Sequence, residues 1–400
     1  MDKIKVTFIY PADILGIKIG GPETFIRSFI KYAPQEFDID FYGISADKEE
    51  LPVGKWTKIS VGQRQVNFFA LLFEKEPNKK RIIPLSLRFT LALKSYPVSV
   101  NQGAVIFNRI EPAFFFKKSG ALKICVIHSD VNMQLKKKES EVLWRRLPFA
   151  YRKLEANIFK NMDYIFTVIG STLDYYQARY PDMQKKFSFL PTWADTGIFY
   201  PEDTPALFVR QQLKPSFGEI IPEGKWILFV GRLQEVKAPL RLLEAFSDYL
   251  KLQGHANLVI IGEGNLKESM QEFSRKMNIQ ESVFFVGSVS QELLAKFYRA
   301  SDALLLSSNF EGMPRCVLEA LSSGLPVVAT DVGEVKRVVK NGFSGEVVDG
   351  FSPSGLAKGL KRVIDNPYVY TKRNCVSSVT DYTPEKVLST VYEIIRSRGK

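Results

Sequence analysis

The feature that most limits what this chain can fold into is an alternation. Short, unbroken apolar runs are followed by longer stretches with helical spacing. In the first half, Ile4–Tyr10, Ala104–Phe107, Leu122–Ile127 and Tyr164–Ile169 each read as a strand that is apolar on both faces. Phe25–Tyr32 has helical spacing, and so do Tyr151, Leu154 and Ile158, with Arg152, Lys153 and Lys160 on the other positions. Ser171 with Asp174 three residues on predicts a capped helix start. The pattern breaks where Pro191, Pro201 and Pro205 punctuate a polar stretch, then resumes. Trp226–Val230, Leu258–Ile261, Val283–Val286, Ala303–Leu306 and Val327–Ala329 are predicted strands, with helices near 238–251, 265–277, 290–299 and 314–323 between and after them. Strands without a polar face need cover on both sides, which means parallel sheets flanked by helices. Two series in 400 residues predict two doubly wound domains, 1–193 and 194–382. A last helix over 383–400 opens on Thr383-Pro384 and is expected to pack back on the first domain. Such sheets bind ligands beyond the carboxyl ends of their strands, so a cleft between the domains is the expected site.

Composition excludes several function classes. Cys125, Cys316 and Cys375 are far apart, which fits a reducing compartment and excludes a disulfide scaffold or cysteine-rich zinc site. His128 and His255 are the only histidines, too few for a His-rich metal site, and His255 is expected at the surface. No apolar run reaches the ~20 residues of a membrane span, and the N-terminus does not read as a signal peptide. A cytoplasmic location is expected. The net charge of +12 is concentrated: Lys and Arg outnumber Asp and Glu 22 to 10 within residues 61–190 and nearly balance elsewhere. A one-sided excess points to an anionic partner.

Three segments carry candidate chemistry. Glu311-Gly312-Met313-Pro314-Arg315 follows a predicted strand, and Pro314 suits a helix start whose free N–H groups could receive an anion. Glu311 before that helix and Glu319 on its first turns could accept hydrogen bonds from sugar or ribose hydroxyls; equally, the pair could be a helix-terminus charge and a paired or solvated residue. Gly231-Arg232 and Lys237 follow another strand and supply two cations five residues apart, the donors a diphosphate needs. Gly20-Gly21 follows the first strand, where glycine permits close approach to a phosphate or simply a turn. Gly262-Glu263-Gly264 has lysine where a dinucleotide fingerprint needs its third glycine, so a nicotinamide site is rejected. His128 ends a predicted strand and is a candidate to touch substrate.

Together these residues resemble the retaining glycosyltransferases of family 4 (glycosyl transferases group 1). The resemblance lies in Glu311…Glu319 as the Glu-x7-Glu signature, in Gly231-Arg232 with Lys237, and in Ile260-Ile261-Gly262-Glu263-Gly264. It continues through Gly324–Asp331 with Gly333, Asn341-Gly342 with Gly345, and Asp195…Phe199. It is dense from about 190 to 350 and thins before that to Gly20-Gly21 and His128. The resemblance implies a GT-B fold, two Rossmann-like domains, the first for acceptor and the second for a nucleotide-sugar donor. It implies Arg232 and Lys237 on the diphosphate with Gly20 and Gly21, Glu319 on the ribose, and Glu311 and His128 at the transferred hexose. Gly312, Met313, Pro314 and Arg315 would line the donor site. A UDP- or GDP-sugar is the implied donor, with no cofactor and no metal; an Asp-x-Asp metal motif is not read in the sequence. Arg315 stands where relatives often have a small or polar residue.

Residues 61–190 then fall in the acceptor domain. Lys136-Lys137-Lys138, Arg145-Arg146, Arg152-Lys153 and Lys185-Lys186 accompany Phe68-Phe69, Leu71-Leu72-Phe73 and Phe114-Phe115-Phe116. That mixture suits an anionic membrane surface and a lipid-linked or otherwise anionic acceptor, or else core aromatics beside a solvated face. Arg109 and Glu111 are candidates to face the acceptor. The expectation is a hexosyltransferase in surface polysaccharide synthesis, peripheral at the cytoplasmic membrane face. The alternatives are a nucleotide-sugar epimerase, a glycan phosphorylase (for which no pyridoxal phosphate lysine site is marked) and a basic nucleic-acid-binding protein. No nucleic-acid motif accompanies the charge, so nucleic acid is not an expected partner.

Overall fold

The computed structural model describes residues 3–16, 21–76, 81, 83–96, 98–128, 148–213, 221–253 and 255–398. The chain divides into two compact units, Met1–Pro191 with Pro384–Lys400, and Thr192–Thr383.

The first unit holds an eight-stranded sheet ordered β3-β4-β2-β1-β5-β6-β7-β8. Its strands are β1 Ile4–Ile9, β2 Phe37–Ser45, β3 Trp56–Val61, β4 Arg64–Phe73, β5 Ala104–Phe107, β6 Leu122–Ile127, β7 Tyr164–Thr167 and β8 Phe187–Phe189. All pair in parallel except β3 with β4, a hairpin at the edge. The closing helix Pro384–Arg398 packs here: Tyr392 OH donates to Phe29 O at 2.9 Å, and Arg396 reaches Glu36 at 2.8 Å.

The second unit holds a six-stranded, wholly parallel sheet ordered β11-β10-β9-β12-β13-β14. Its strands are β9 Lys225–Val230, β10 Ala256–Ile261, β11 Val283–Gly287, β12 Ala303–Leu306, β13 Val327–Thr330 and β14 Gly345–Val348. Alternation along each strand divides its apolar side chains between two layers. Leu228, Val259, Leu304, Leu306 and Ala329 face the helices Ala206–Leu213, Gln291–Ala300 and Arg315–Ser322. Ile227, Phe229, Leu258, Ile260, Leu305 and Val328 face Pro239–Gln253, Lys267–Lys276 and Pro353–Asp365. Burial on both faces is why these strands carry no polar period in the sequence.

Three sequence expectations are corrected. Ser171 does not cap its helix; the helix runs Gly170–Arg179 from Ile169 without a side-chain cap, because the strand turns straight into it. Phe68, Phe69 and Leu71 are core, not a surface cluster: β4 is an interior strand, and Phe68 stacks on Phe41 at 5.5 Å. Lys186 is no free surface cation; its Nζ donates to Lys160 O at 2.8 Å and Met162 O at 2.7 Å, closing the end of the helix Pro148–Lys160.

Candidate functional site

In each sheet one pair of neighbouring strands is reached by connections that leave in opposite directions. In the second unit this switch point lies between β9 and β12. Such a point leaves an open crevice at the carboxyl strand ends, and the two loops there carry Arg232, Lys237 and Glu311.

The loops are tied to one another by hydrogen bonds to the backbone. Asn309 N donates to Val236 O at 2.9 Å, and Ser307 Oγ reaches Lys237 O at 3.0 Å and Ala238 O at 3.1 Å. Ala238 has φ +46°, a left-handed conformation unusual for a residue with a Cβ, and it ends the turn that aims Lys237. Lys237 Nζ then meets Glu311 Oε1 at 2.5 Å, and Ser308 Oγ donates to the same oxygen at 2.6 Å. Glu311 is buried, with Lys237 as its counter-ion. Its other oxygen has no hydrogen-bond partner among the described residues. Arg232 is exposed and its side chain has no partner among the described residues.

The Glu311 loop is held from below by Gly333. That glycine has φ +53°, and a Cβ on it would lie 2.1 Å from Gly312 O and 2.3 Å from Glu311 O. Glu334 N donates to Gly312 O at 2.9 Å, and Thr192 Oγ1 to Met313 O at 3.4 Å. Gly262 does the same for the cation loop: φ +136°, with a Cβ only 2.0 Å from Gly231 O. The Gly262-Glu263-Gly264 turn therefore supports the Arg232 loop, which explains its glycines without any dinucleotide.

Pro314 precedes the helix Arg315–Ser322, so Glu319 sits on its second turn. Glu319 is buried; Tyr298 OH donates to its Oε2 at 3.0 Å and Arg315 Nε lies 3.6 Å from Oε1. Burial raises the pKa of Glu319, against the opposing pull of Arg315 and Tyr298. Arg315 turns along its own helix toward Glu319, and its Nη2 is buried with no hydrogen-bond partner among the described residues. Cys316, between the two carboxylates in sequence, is pushed up to about 12 by burial, with Lys237 pulling the other way; it is no thiolate nucleophile.

In the first unit the switch point lies between β1 and β5. His128, just after β6, places Nε2 2.7 Å from Asn108 Oδ1, just after β5. A carbonyl oxygen there holds the ring proton on Nε2 and leaves Nδ1 as acceptor. Phe25 packs edge-on against the imidazole at 5.3 Å. Desolvation pulls the His128 pKa down to about 3, so the ring is neutral at pH 7. Gly21 opens the helix that carries Phe25, and a Cβ on Gly21 would meet nothing within 4 Å. The protein's own packing does not demand glycine there. Arg109 and Glu111 turn to each other, Nε to Oε2 at 3.5 Å, with Glu111 buried. Tyr10, at the end of β1, donates to Glu23 Oε1 at 3.3 Å.

Gly20, Lys136-Lys137-Lys138 and Arg145-Arg146 lie outside the described residues. His255 is exposed. Among the described residues no group of three or more His, Cys, Asp or Glu could hold a metal ion. An Asp-x-Asp spacing does occur, correcting the sequence reading: Asp38-Ile39-Asp40. It lies inside β2, where Asp40 is buried and pairs with Lys5 at 2.9 Å and Asn67 at 2.9 Å. Sequence reasoning missed Ser308, Tyr298 and Asn108. Ser308 had a signal, a hydroxyl three residues before Glu311 at a strand end, and Asn108 had one, an amide directly after the strand Ala104–Phe107; Tyr298 had none, because its partner is distant in sequence.

Comparison with known proteins bears on the second unit above all. Residues 212–378 match the family model described as Glycosyl transferases group 1. A D-inositol 3-phosphate glycosyltransferase of Thermomonospora curvata is 34% identical over 183 residues, 43% of this chain and 42% of that protein. A mannosylfructose-phosphate synthase of Agrobacterium fabrum is 26% identical over 270 residues, 63% of this chain and 58% of that one. The chain thus spans well under two thirds of the length of these relatives. Among solved structures, a sucrose-phosphate synthase from Thermosynechococcus elongatus superposes with TM-score 0.76 at 18% identity, covering 99% of each chain. WaaG, a glycosyltransferase involved in lipopolysaccharide biosynthesis, gives 0.69 at 18%, covering 98% of this chain and 99% of that one. Anabaena HepE, solved with UDP, gives 0.71 at 14%, covering 98% of this chain and 100% of that one. The fold is that of the GT-B glycosyltransferases.

Proposed function

We propose, from the fact that residues 212–378 belong to the group 1 glycosyl transferases, that the chain is a retaining glycosyltransferase. It moves a hexose-type sugar from a UDP- or GDP-sugar to a lipid-linked or glycan acceptor during synthesis of a surface polysaccharide. The observation that carries this reading is Lys237, Glu311 and Ser308 drawn together at the β9/β12 switch point, with Arg232 exposed beside them.

The roles follow from the chemistry. Arg232 offers a planar fork to the diphosphate, and Lys237 offers the ammonium hydrogens that Glu311 does not take. Charge grows on the diphosphate as the bond to the anomeric carbon breaks, and two cations stabilise that charge more in the transition state than in the ground state. The free oxygen of Glu311 accepts from the hexose, and Glu319, locked by Tyr298, accepts from the ribose. Gly312, Met313, Pro314 and Arg315 line the donor. Gly20 and Gly21 bring backbone to the phosphates, and His128 accepts a sugar hydroxyl at Nδ1. Arg109 and Glu111 belong to the acceptor side, as an ion pair rather than as free charges. Retention follows if the acceptor oxygen attacks the face the diphosphate leaves. The leaving phosphate oxygen takes the electron pair of the broken bond and the acceptor's proton. No cofactor or metal enters this scheme. The enzyme works in the cytoplasm, peripheral to the membrane.

The test is calorimetry against UDP-, GDP- and ADP-sugars, then product analysis with candidate acceptors. The expected result is saturable binding of one nucleotide class and a product of unchanged anomeric configuration. No binding of any nucleotide sugar, or conversion of donor without acceptor, overturns the reading.

A further inference from the structure

In the first unit, the segment from 83 to 128 combines exposed apolar side chains with cations and a single acid. The helix Leu85–Ala92 and the one-turn segment Leu93–Ser95 after it pack beside the 3-10 helix Glu111–Phe116. That 3-10 helix is anchored from inside by Pro112, Ala113 and Phe116, with Phe116 against Phe107 at 5.4 Å. Anchoring those residues turns Phe114 and Phe115 outward, where they are 43% and 37% exposed, and Leu91, on the helix that packs beside them, is 49% exposed. Lys117 Nζ sits 4.1 Å from the Phe114 ring centre, and Lys94 Nζ 5.4 Å from that of Phe115. Between residues 83 and 128 there are six Lys or Arg and one acid, Glu111, which is buried against Arg109. Arg88 is spent internally on Glu74 at 2.6 Å, leaving Lys94, Lys117 and Lys118 for the outside.

We infer that Leu91, Phe114 and Phe115, ringed by Lys94, Lys117 and Lys118, form the surface by which this protein docks on an anionic phospholipid membrane. Aromatic and aliphatic side chains sink to the level of the headgroups, and lysines reach up their stems to the phosphates. Each lysine near such a surface adds attraction that salt screens. Unfavourable exposure of two phenylalanines in water is relieved by lipid, and the one acid of this segment, Glu111, is buried against Arg109, so it offers no free charge to repel an anionic surface. This deepens the proposed function and rests on it only in the last step: a lipid-borne acceptor is met on this face.

The test uses the full chain and vesicles of phosphatidylcholine, either pure or with about 30% phosphatidylglycerol. Sedimentation with the anionic vesicles is expected, reversed by high salt, with little on the neutral ones. Phe114→Ser with Phe115→Ser is expected to weaken partition at least about tenfold with melting temperature held within about 2 °C. In the Phe115→Trp protein, anionic vesicles are expected to blue-shift the indole emission and brominated lipid to quench it. Equal sedimentation of the double serine variant, no sedimentation of the parent protein, or a tryptophan that stays in water each overturns the docking surface. Calorimetry of UDP and GDP on the same proteins keeps the two ideas apart. A parent protein that binds nucleotide but does not sediment with anionic vesicles removes only the surface. The reverse removes only the transferase reading.

Discussion

At the carboxyl ends of β9 and β12, charges are held in pairs: Lys237 on Glu311, Arg315 on Glu319. At the carboxyl ends of β5 and β6, the central contact is an uncharged imidazole on an amide, His128 on Asn108. Both places are strand ends beside a switch point in a parallel sheet, so topology does not account for the difference. The local environment does. The second unit sets Lys237 against buried Glu311 and Arg315 beside buried Glu319, and its loops are braced by glycines, Gly333 under Glu311 and Gly262 under Gly231. In the first unit Arg109 and Glu111 pair with each other, while His128 is shifted by desolvation alone, and a titratable ring in that setting gives up its proton.

The largest effect is expected from removing cations at the charged end. Arg232→Ala or Lys237→Ala should abolish transfer and weaken nucleoside-diphosphate binding at least about tenfold. Lys237→Ala should also lower stability by about 3 kcal/mol, because it leaves Glu311 buried without its partner. Unchanged calorimetric binding in both variants would break the contrast between the two ends. Glu311→Ala comes next: transfer should fall about a hundredfold while nucleotide affinity stays within about threefold. Wild-type rates would take Glu311 out of the site. Gly333→Ala should cost about 2 kcal/mol in denaturant unfolding, since a Cβ there meets two carbonyl oxygens and the left-handed φ adds strain; no change would mean that the Glu311 loop needs no brace.

The smallest effect belongs to the neutral end. His128 has its folded pKa pulled below the ordinary value of about 6.5, to about 3. The unfolded chain takes up a proton in that interval and the folded one does not. His128 therefore contributes stability that is present above about 6.5 and is lost as pH falls toward 3. His128→Gln should flatten urea midpoints across that window by a fraction of the total acid slope. An unaltered slope, or an imidazole resonance that titrates near neutrality, would show that the ring is charged and that the two ends are alike.

How much was legible follows the same division. In the second unit the sheet can be read almost strand by strand, and Glu311, Glu319, Arg232 and Lys237 can be named. Each strand is a short apolar run between breaks, and the chemistry-bearing residues sit within a few positions of a strand end. β2 and β4 were not legible. Asp38, Asp40 and Asn67 interrupt their apolar runs, and each polar group finds its partner only across the sheet. The aromatic run Phe68-Phe69 looked like a surface for the same reason: without β3 and β2 on either side, nothing in the sequence says it is interior.

The sequence by itself determined the class of fold, through unbroken apolar strands that require cover on both faces, and the chemical kind of the residues at the β9 and β12 strand ends, through their type and spacing. Tertiary structure alone decided which of these residues meet. Lys237 reaches Glu311 across 74 positions, His128 reaches Asn108 across 20, and Tyr298 reaches Glu319 across 21. It also decided which phenylalanines of one triplet face water. The physical reason is range. Propensity and periodicity act within a few residues, whereas counter-ions, desolvation and exposure are set by neighbours that only the packed chain brings within a few ångströms.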